Sequence, residues 1–353
     1  MDILDSCNTA AAEGRKKGRR LKNLLVAGGL LLAIYLIWSL GPGQIWAELS
    51  GGWWPAFIGV LGAYVLQQAL GSLALWVLGT NRNGPGWKST SLSSLTRTRY
   101  VGEVLNYAMP TGGIGGEPYK LFTLGRSEGT NPAFKALAAA KFLHVAAVGP
   151  FAFLIFTGAL IEGLGGDSWR LTFLIMTGLM AVMTLFLWAI VLWSKVGRQL
   201  LGGYYRVRRR VPRQLRGLRY FLHIDVAASK EIKGAPGRTF IAYLCYMGMW
   251  FAAALEWMAI SHVMGSEGHT LGIIGAGLFE CATIIVAALI PVPAGMGTQE
   301  TGKAAVALLL GLPPHSGVTM SLIRRGREAL MVLTGAALAL AITGKDHPPR
   351  GMR

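Results

Sequence analysis

The stretch G-E-V-L-N-Y-A-M-P-T-G-G-I-G-G-E-P-Y-K, Gly102–Lys120, decides how this chain is read. It is apolar enough to enter a membrane. Yet Pro110, Gly112, Gly113, Gly115, Gly116 and Pro118 interrupt it, and Glu103, Glu117 and Lys120 place charge within it. Proline removes a helix hydrogen bond and glycine loosens the backbone, so no continuous spanning helix is expected here. Broken backbone at membrane depth is tolerated only where protein buries it or it lines a wet cavity.

The rest of the chain supplies the membrane. Of 353 residues, 52% are hydrophobic and only 14% charged, and the mean hydropathy is +0.45. A soluble domain carries about a quarter charged residues to face water on every side. A soluble enzyme, a secreted disulfide scaffold and a disordered chain are therefore excluded. The net charge is +17, but the basic residues sit beside apolar runs, as the positive-inside rule and anionic inner-leaflet lipid require. No nucleic-acid partner is implied. Cys7, Cys245 and Cys281 are scattered, which indicates neither a disulfide nor a metal site.

Charge-free runs set the organisation. Residues 1–22 form a basic cytoplasmic leader. Asn23–Ala47 and Leu49–Asn81 are long enough to cross about 30 Å of hydrocarbon. Further spans are expected at about Ala136–Ile161, Leu171–Ser194, Thr239–Val263 and Gly317–Thr343. Membrane half one thus covers residues 23–194 with a broken segment at about 100–125; half two covers 239–343 with another at 271–312. Between them, residues 195–238 hold twelve Lys/Arg against Asp225 and Glu231. Leu215, Leu218 and Leu222 alternate there with arginines, which reads either as an amphipathic helix on anionic inner-leaflet lipid or as a solvated loop. Residues 344–353 are a cytoplasmic tail. With basic loops inside, the topology closes only if both broken segments leave on the side they entered. The expected fold is an all-α polytopic membrane protein with six full transmembrane helices and two opposed re-entrant hairpins in an inverted repeat, both termini in the cytoplasm.

The two broken segments resemble each other. Pro110-T-G-G-I-G-G-Glu117-P-Y-Lys120 aligns without gaps on Pro293-A-G-M-G-T-Q-Glu300-T-G-Lys303. Pro, the glycines Gly112 and Gly295, Glu and Lys coincide, and Gly115, Gly116 and Gly297 lie within the two loops. Inverted repeats with discontinuous helices are a transporter signature. Each outgoing half-helix offers free N–H groups and a positive dipole end, which suit an anion such as a lipid phosphate. Glu and Lys three residues apart share a face and are expected to pair at rest, opening to a headgroup. The alternative is a structural Glu–Lys clasp on a glycine-rich helix crossing.

Other charges fall inside predicted spans. Arg324, Arg325 and Arg327 lie roughly 10–15 Å into the last span, where they must face a cavity, a carboxylate or a phosphate. Glu328, Glu300 and Glu280 are candidate partners. Glu256 and Glu280 read either as coupling groups or as buried hydrogen-bonded ones. Lys141 and His144 are placed near the cytoplasmic interface, either at the site or snorkelling, and Glu103 is read as interfacial.

Gly102–Lys120, together with P-A-G-M-G-T-Q-E-T-G (Pro293–Gly302) and S-L-I-R-R-G-R-E (Ser321–Glu328), resembles the signatures of the flippase-like family that includes the lysylphosphatidylglycerol synthase transmembrane region. The Q-E-x-G and S-L-x-R-R-x-R-E forms are similar to its hopanoid-associated subfamily. The resemblance implies translocation of a phospholipid or hopanoid-type lipid across a bacterial inner membrane, with Glu117, Lys120, Glu300 and the Arg324–Glu328 cluster at matching positions. Ala140, Lys141 and His144 stand where that family often carries an acidic-basic pair and a downstream Asp. The soluble aminoacyl-transferase domain of the bifunctional synthases is not expected to follow the last span.

Two other readings stand beside translocation. One is a membrane-embedded enzyme acting on a lipid phosphate, with Glu117 or Glu300 as base; no P-loop, metal set or nucleophile triad accompanies it. The other is a scaffold for lipid-synthesis enzymes, docking through the 195–238 loop. No catalytic residue and no cofactor is assigned, and the oligomeric state is open between monomer and homo-oligomer.

Overall fold

The computed structural model describes residues 54–80, 87, 90–108, 115–192, 228–264, 270–289, 295 and 297–343, together with 38, 43 and 46. The leader, most of the predicted first span, Pro110, Gly112, Pro293, the 215–222 leucine stripe and the tail lie outside them. Among the described residues the structure is helical throughout: α1 Trp54–Gly79, α2 Leu92–Ala108, α3 Glu117–Glu128, α4 Thr130–Ile161, α5 Asp167–Leu192, α6 Pro236–Met264, α7 Ile273–Leu289, α8 Thr298–Leu309 and α9 Pro314–Thr343. A further helical turn occupies residues 228–234, ahead of α6.

Four helices are long and apolar enough to cross a membrane: α1, α4, α5 and α6. The second to fifth of the six predicted spans coincide with them. Only α4 starts well early, at Thr130 rather than Ala136, because Pro132 sits in its first turn, where a missing N–H costs nothing. α9 has the length of a span, but arginines interrupt its apolar character. Both broken segments are pairs of short helices, α2–α3 and α7–α8. The order long, short, short, long occurs twice, as α1–α4 and as α6–α9, which gives the repeat read from the two motifs a structural counterpart.

The helix break in the first segment has a local cause. Gly116 caps α3, Pro118 follows in its first turn, and the Asn106 side chain accepts the Gly116 N–H at 2.6 Å. A Cβ on Gly116 would run into the carbonyl of Gly102. Glycine there lets α3 start directly against α2. In the second segment Gly297 caps α8 at φ +77°, a left-handed conformation that glycine adopts without strain.

α6 is the central element. It packs along α1 and also touches α4, α7 and α9; α5 packs chiefly on α4. The core lies where these meet: Phe151, Ile155, Trp257, Ile260 and Phe279 are fully buried in one cluster, and Ala139, Leu143, Ala147 and Ala242 in another. One face of α5, including Leu171, Leu174, Leu179, Val182 and Phe186, is exposed. In a membrane protein such a face meets acyl chains, where it carries no hydrophobic penalty.

Candidate functional site

Charge is buried in two clusters. The first surrounds the α2–α3 break. Lys120 Nζ lies 2.7 Å from Glu103 Oε1 and 2.9 Å from Glu117 Oε1. The expected Glu117–Lys120 pair is therefore formed, and Glu103 joins it as a second carboxylate. Gly102 leaves room for the Lys120 stem, which a Cβ would strike. Beside this trio is a cavity of about 30 Å³ lined by Arg99, Glu103, Glu117, Lys120, Lys141, His144 and Tyr246. Its volume admits about one water molecule. His144 lies on Tyr246, with ring centroids 5.5 Å apart, and edge-on to Trp250 at 5.0 Å.

Arg99 belongs to this cluster and is not among the candidate residues read from the sequence. It is buried on α2. Its Nη1 donates to the Gln68 side-chain oxygen at 2.5 Å and to the Gln68 carbonyl at 3.3 Å. Its Nη2 meets the sulfur of Met249, at 3.5 Å. The sole local signal is Gly71 on α1, where a Cβ would run into the guanidinium.

The second cluster is larger. Arg324 joins Glu256 (Nε to Oε2, 2.8 Å) to Glu280 (Nη1 to Oε2, 2.6 Å), and its guanidinium lies 4.7 Å from the Trp257 ring centre. Gln67 of α1 donates to Glu256 at 2.7 Å, and the Trp257 indole donates to Glu280 at 2.9 Å. Arg325 pairs with Glu300 and Glu328, each at 2.8 Å, and donates to the Tyr107 hydroxyl at 2.9 Å. That hydroxyl donates in turn to Glu328 at 2.6 Å. Arg327 reaches Glu256 at 3.4 Å and Glu328 at 3.8 Å, with its guanidinium 4.4 Å from the Tyr64 ring centre.

All three α9 arginines thus hold carboxylates. Glu256 and Glu280 are among the carboxylates so held. Carboxylates from α6, α7, α8 and α9 are tied together, and Tyr107 brings in α2. Pairing offsets their burial, since a lone charge costs several kcal/mol on desolvation.

The repeat does not extend to its lysines. Glu300 turns to Arg325, and Lys303 instead donates to Ser321 Oγ at 3.0 Å and lies 4.9 Å from the Trp257 ring centre. Among the described residues Lys303 forms no ion pair, so the predicted Glu300–Lys303 pair is not made. Glu117 and Glu300 sit in separate clusters, and the cavity beside Glu117 is lined by α1, α2, α3, α4 and α6. What links the clusters is α2. Arg99 and Glu103 face the first and Tyr107 the second, at i, i+4 and i+8 along one face. Among the described residues no three His, Cys, Asp or Glu side chains gather as a metal site.

These features define a class: a polytopic helical membrane protein whose interior is laced with ion pairs at two helix breaks. The chain belongs to the family of the lysylphosphatidylglycerol synthase TM region, whose model matches residues 24–335. No curated protein and no solved structure matches the chain. The family makes this a membrane protein of lipid metabolism or transport.

Proposed function

We propose that this protein moves a polar or anionic lipid between the leaflets of a bacterial inner membrane, the headgroup travelling through the protein while the acyl chains stay in the bilayer. The observation that carries this reading is the continuous polar face of α2. It joins a charged cavity at one helix break to the ion-pair network at the other, and a headgroup crossing hydrocarbon needs such a path. On this reading the arrangement is six spans and two re-entrant hairpins, α2–α3 entering from the cytoplasm and α7–α8 from outside, with both termini cytoplasmic. A phospholipid, or a hopanoid-type lipid of the subfamily the Q-E-x-G form resembles, is the cargo, and anionic inner-leaflet lipid receives the 195–238 loop.

Transport rather than chemistry is supported by the partners of the carboxylates. Glu117 and Glu300, the candidate bases of an enzyme, are both held by cations. The test is leaflet exchange of headgroup-labelled phospholipid in liposomes containing the purified protein. Exchange above protein-free liposomes is expected, and Glu117→Gln and Glu300→Gln are expected to stop it in folded protein. Chemical alteration of the labelled lipid would establish the enzyme reading instead.

A further inference from the structure

One cation of the second cluster differs in kind from the rest. Arg324, Arg325 and Arg327 keep their protons in any protein environment, whereas a buried lysine gives its proton up readily. Lys303 is almost wholly buried. Its Nζ donates to Ser321 Oγ at 3.0 Å and to Gln299 Oε1 at 3.5 Å, beneath the Trp257 ring of α6. The charges around it act from beyond ion-pair distance: Glu300 on α8 and Glu328 on α9 attract it, Arg324 and Arg325 repel it, and Glu280 on α7 feels its field. Ser321 carries the contact onward. A hydroxyl has one proton to donate; with Lys303 donating to its oxygen, Ser321 gives that proton to Glu300 Oε1, at 3.3 Å. Arg325 holds the same oxygen, while Glu300 Oε2 is buried with no hydrogen-bond partner among the described residues. Lys303, Ser321 and Glu300 thus form a buried chain from an amine to an unpartnered carboxylate oxygen. The chain spans a tight helix crossing, since a Cβ on Gly317 of α9 would strike the Lys303 carbonyl of α8.

We infer that Lys303 is a coupling-ion site at the second helix break, and that the ion is a proton passed between Lys303 and Glu300 through Ser321. The proposal rests on the translocation reading and names the co-substrate that drives it. Coupling ions in transporters bind where helices are broken, and an amine at the head of the chain takes a proton but repels a metal cation. In the transfer, Ser321 Oγ takes a proton from Lys303 Nζ while its own hydroxyl proton passes to Glu300 Oε1. The bonding pair of the broken N–H bond stays on nitrogen, so an ammonium and a carboxylate become an amine and a carboxylic acid. Glu300 then gives its proton to water on one side of the membrane, and hydronium from the other side reloads Lys303. While Glu300 is neutral, Arg325 loses the charge of one carboxylate and keeps Glu328 at 2.8 Å. The tie between α8 and α9 loosens, and the second helix break is free to move.

The experiment measures the steady-state leaflet distribution of headgroup-labelled phosphatidylglycerol in liposomes of the purified full chain, with the membrane potential clamped and a pH gradient imposed. A trapped pH dye reports proton movement. One proton per lipid biases the distribution about tenfold for each pH unit of gradient, and the dye should show protons moving with the lipid. Lys303→Arg keeps the charge and the donor but cannot release the proton, and Ser321→Ala interrupts the chain. Both should abolish the bias, whatever they do to the rate of exchange; a packing or charge role alone would change the rate and leave the bias. Thermal unfolding shows whether each variant folds, and if Lys303→Arg does not, Ser321→Ala decides. Lipid exchange by the parent without any bias would overturn the inference and leave translocation standing. The same bias from a sodium gradient at uniform pH, or a full bias kept in the folded variants, would also overturn it. Failure of the parent protein to exchange lipid between leaflets is a separate result, which removes the translocation reading and the coupling with it.

Discussion

Replacing Arg324 by Met is the most informative single change to the ion-pair network. Among the described residues Arg324 alone bridges Glu256 on α6 and Glu280 on α7, at 2.8 and 2.6 Å. Methionine preserves much of the volume and leaves two carboxylates behind. They are not stranded equally. Glu256 keeps Gln67 at 2.7 Å and Arg327 at 3.4 Å. Among the described residues Glu280 keeps only the Trp257 indole N–H, at 2.9 Å. Breaking one side of a buried pair costs about 3–5 kcal/mol, and loss of the guanidinium from the Trp257 face adds up to about 2. A total of about 3–7 kcal/mol is expected, mostly from the carboxylate of Glu280. Adding Glu280→Gln removes that charge and should recover about half of the loss or more. The assay is reversible unfolding in mixed micelles, followed by tryptophan fluorescence, on the parent, both single variants and the double variant. A cost below about 1 kcal/mol for Arg324→Met, on the scale where a buried pair is worth several, would refute the reasoning. Strictly additive losses in the double variant would refute it as well.

Three other changes probe different parts of the account. Gly116→Ala places a Cβ against the Gly102 carbonyl; because both atoms are backbone-fixed, α3 must separate from α2, and a cysteine pair across the two helices should show the increased spacing by spin-label distance measurement. Tyr107→Phe removes a hydroxyl that bonds Glu328 and Arg325 at 2.6 and 2.9 Å, and because those two charges still pair with each other at 2.8 Å, unfolding in micelles should show a loss of only about 1–2 kcal/mol. Glu162→Cys, in the exposed turn between α4 and α5, should react with an impermeant maleimide from the outer face of the membrane and not from the cytoplasmic face.

The long helices are legible because lipid demands one thing of them. An apolar run of spanning length has few alternatives, so α1, α5 and α6 begin and end within a few residues of the stretches that predict them. The breaks are legible for the converse reason, since Pro118 and Gly116 act on the backbone where they stand. Pairing across helices is different. Arg99 reads as one more basic loop residue because α2 begins at Leu92, before any apolar run announces it, and because its burial depends on Gly71 and Gln68 of another helix. Glu300 and Lys303 repeat the spacing of Glu117 and Lys120, yet Arg325 reaches Glu300 from α9 and takes it. The alignment of two motifs holds no information about a third helix that competes for one of their charges. Gln67 is similarly silent: its role follows only from the packing of α1 along α6.

The central claim is that the headgroup passes along the polar face of α2 and not around the outside of the protein. Photo-crosslinking of a phospholipid with a benzophenone on its headgroup, in liposomes, followed by mass spectrometric mapping of the adducts, tests that most directly. Adducts on the α2 segment from Thr98 to Ala108 and on the α9 segment from Ser321 to Glu328 are predicted. Adducts confined to the exposed apolar face of α5, between Leu171 and Phe186, would contradict it.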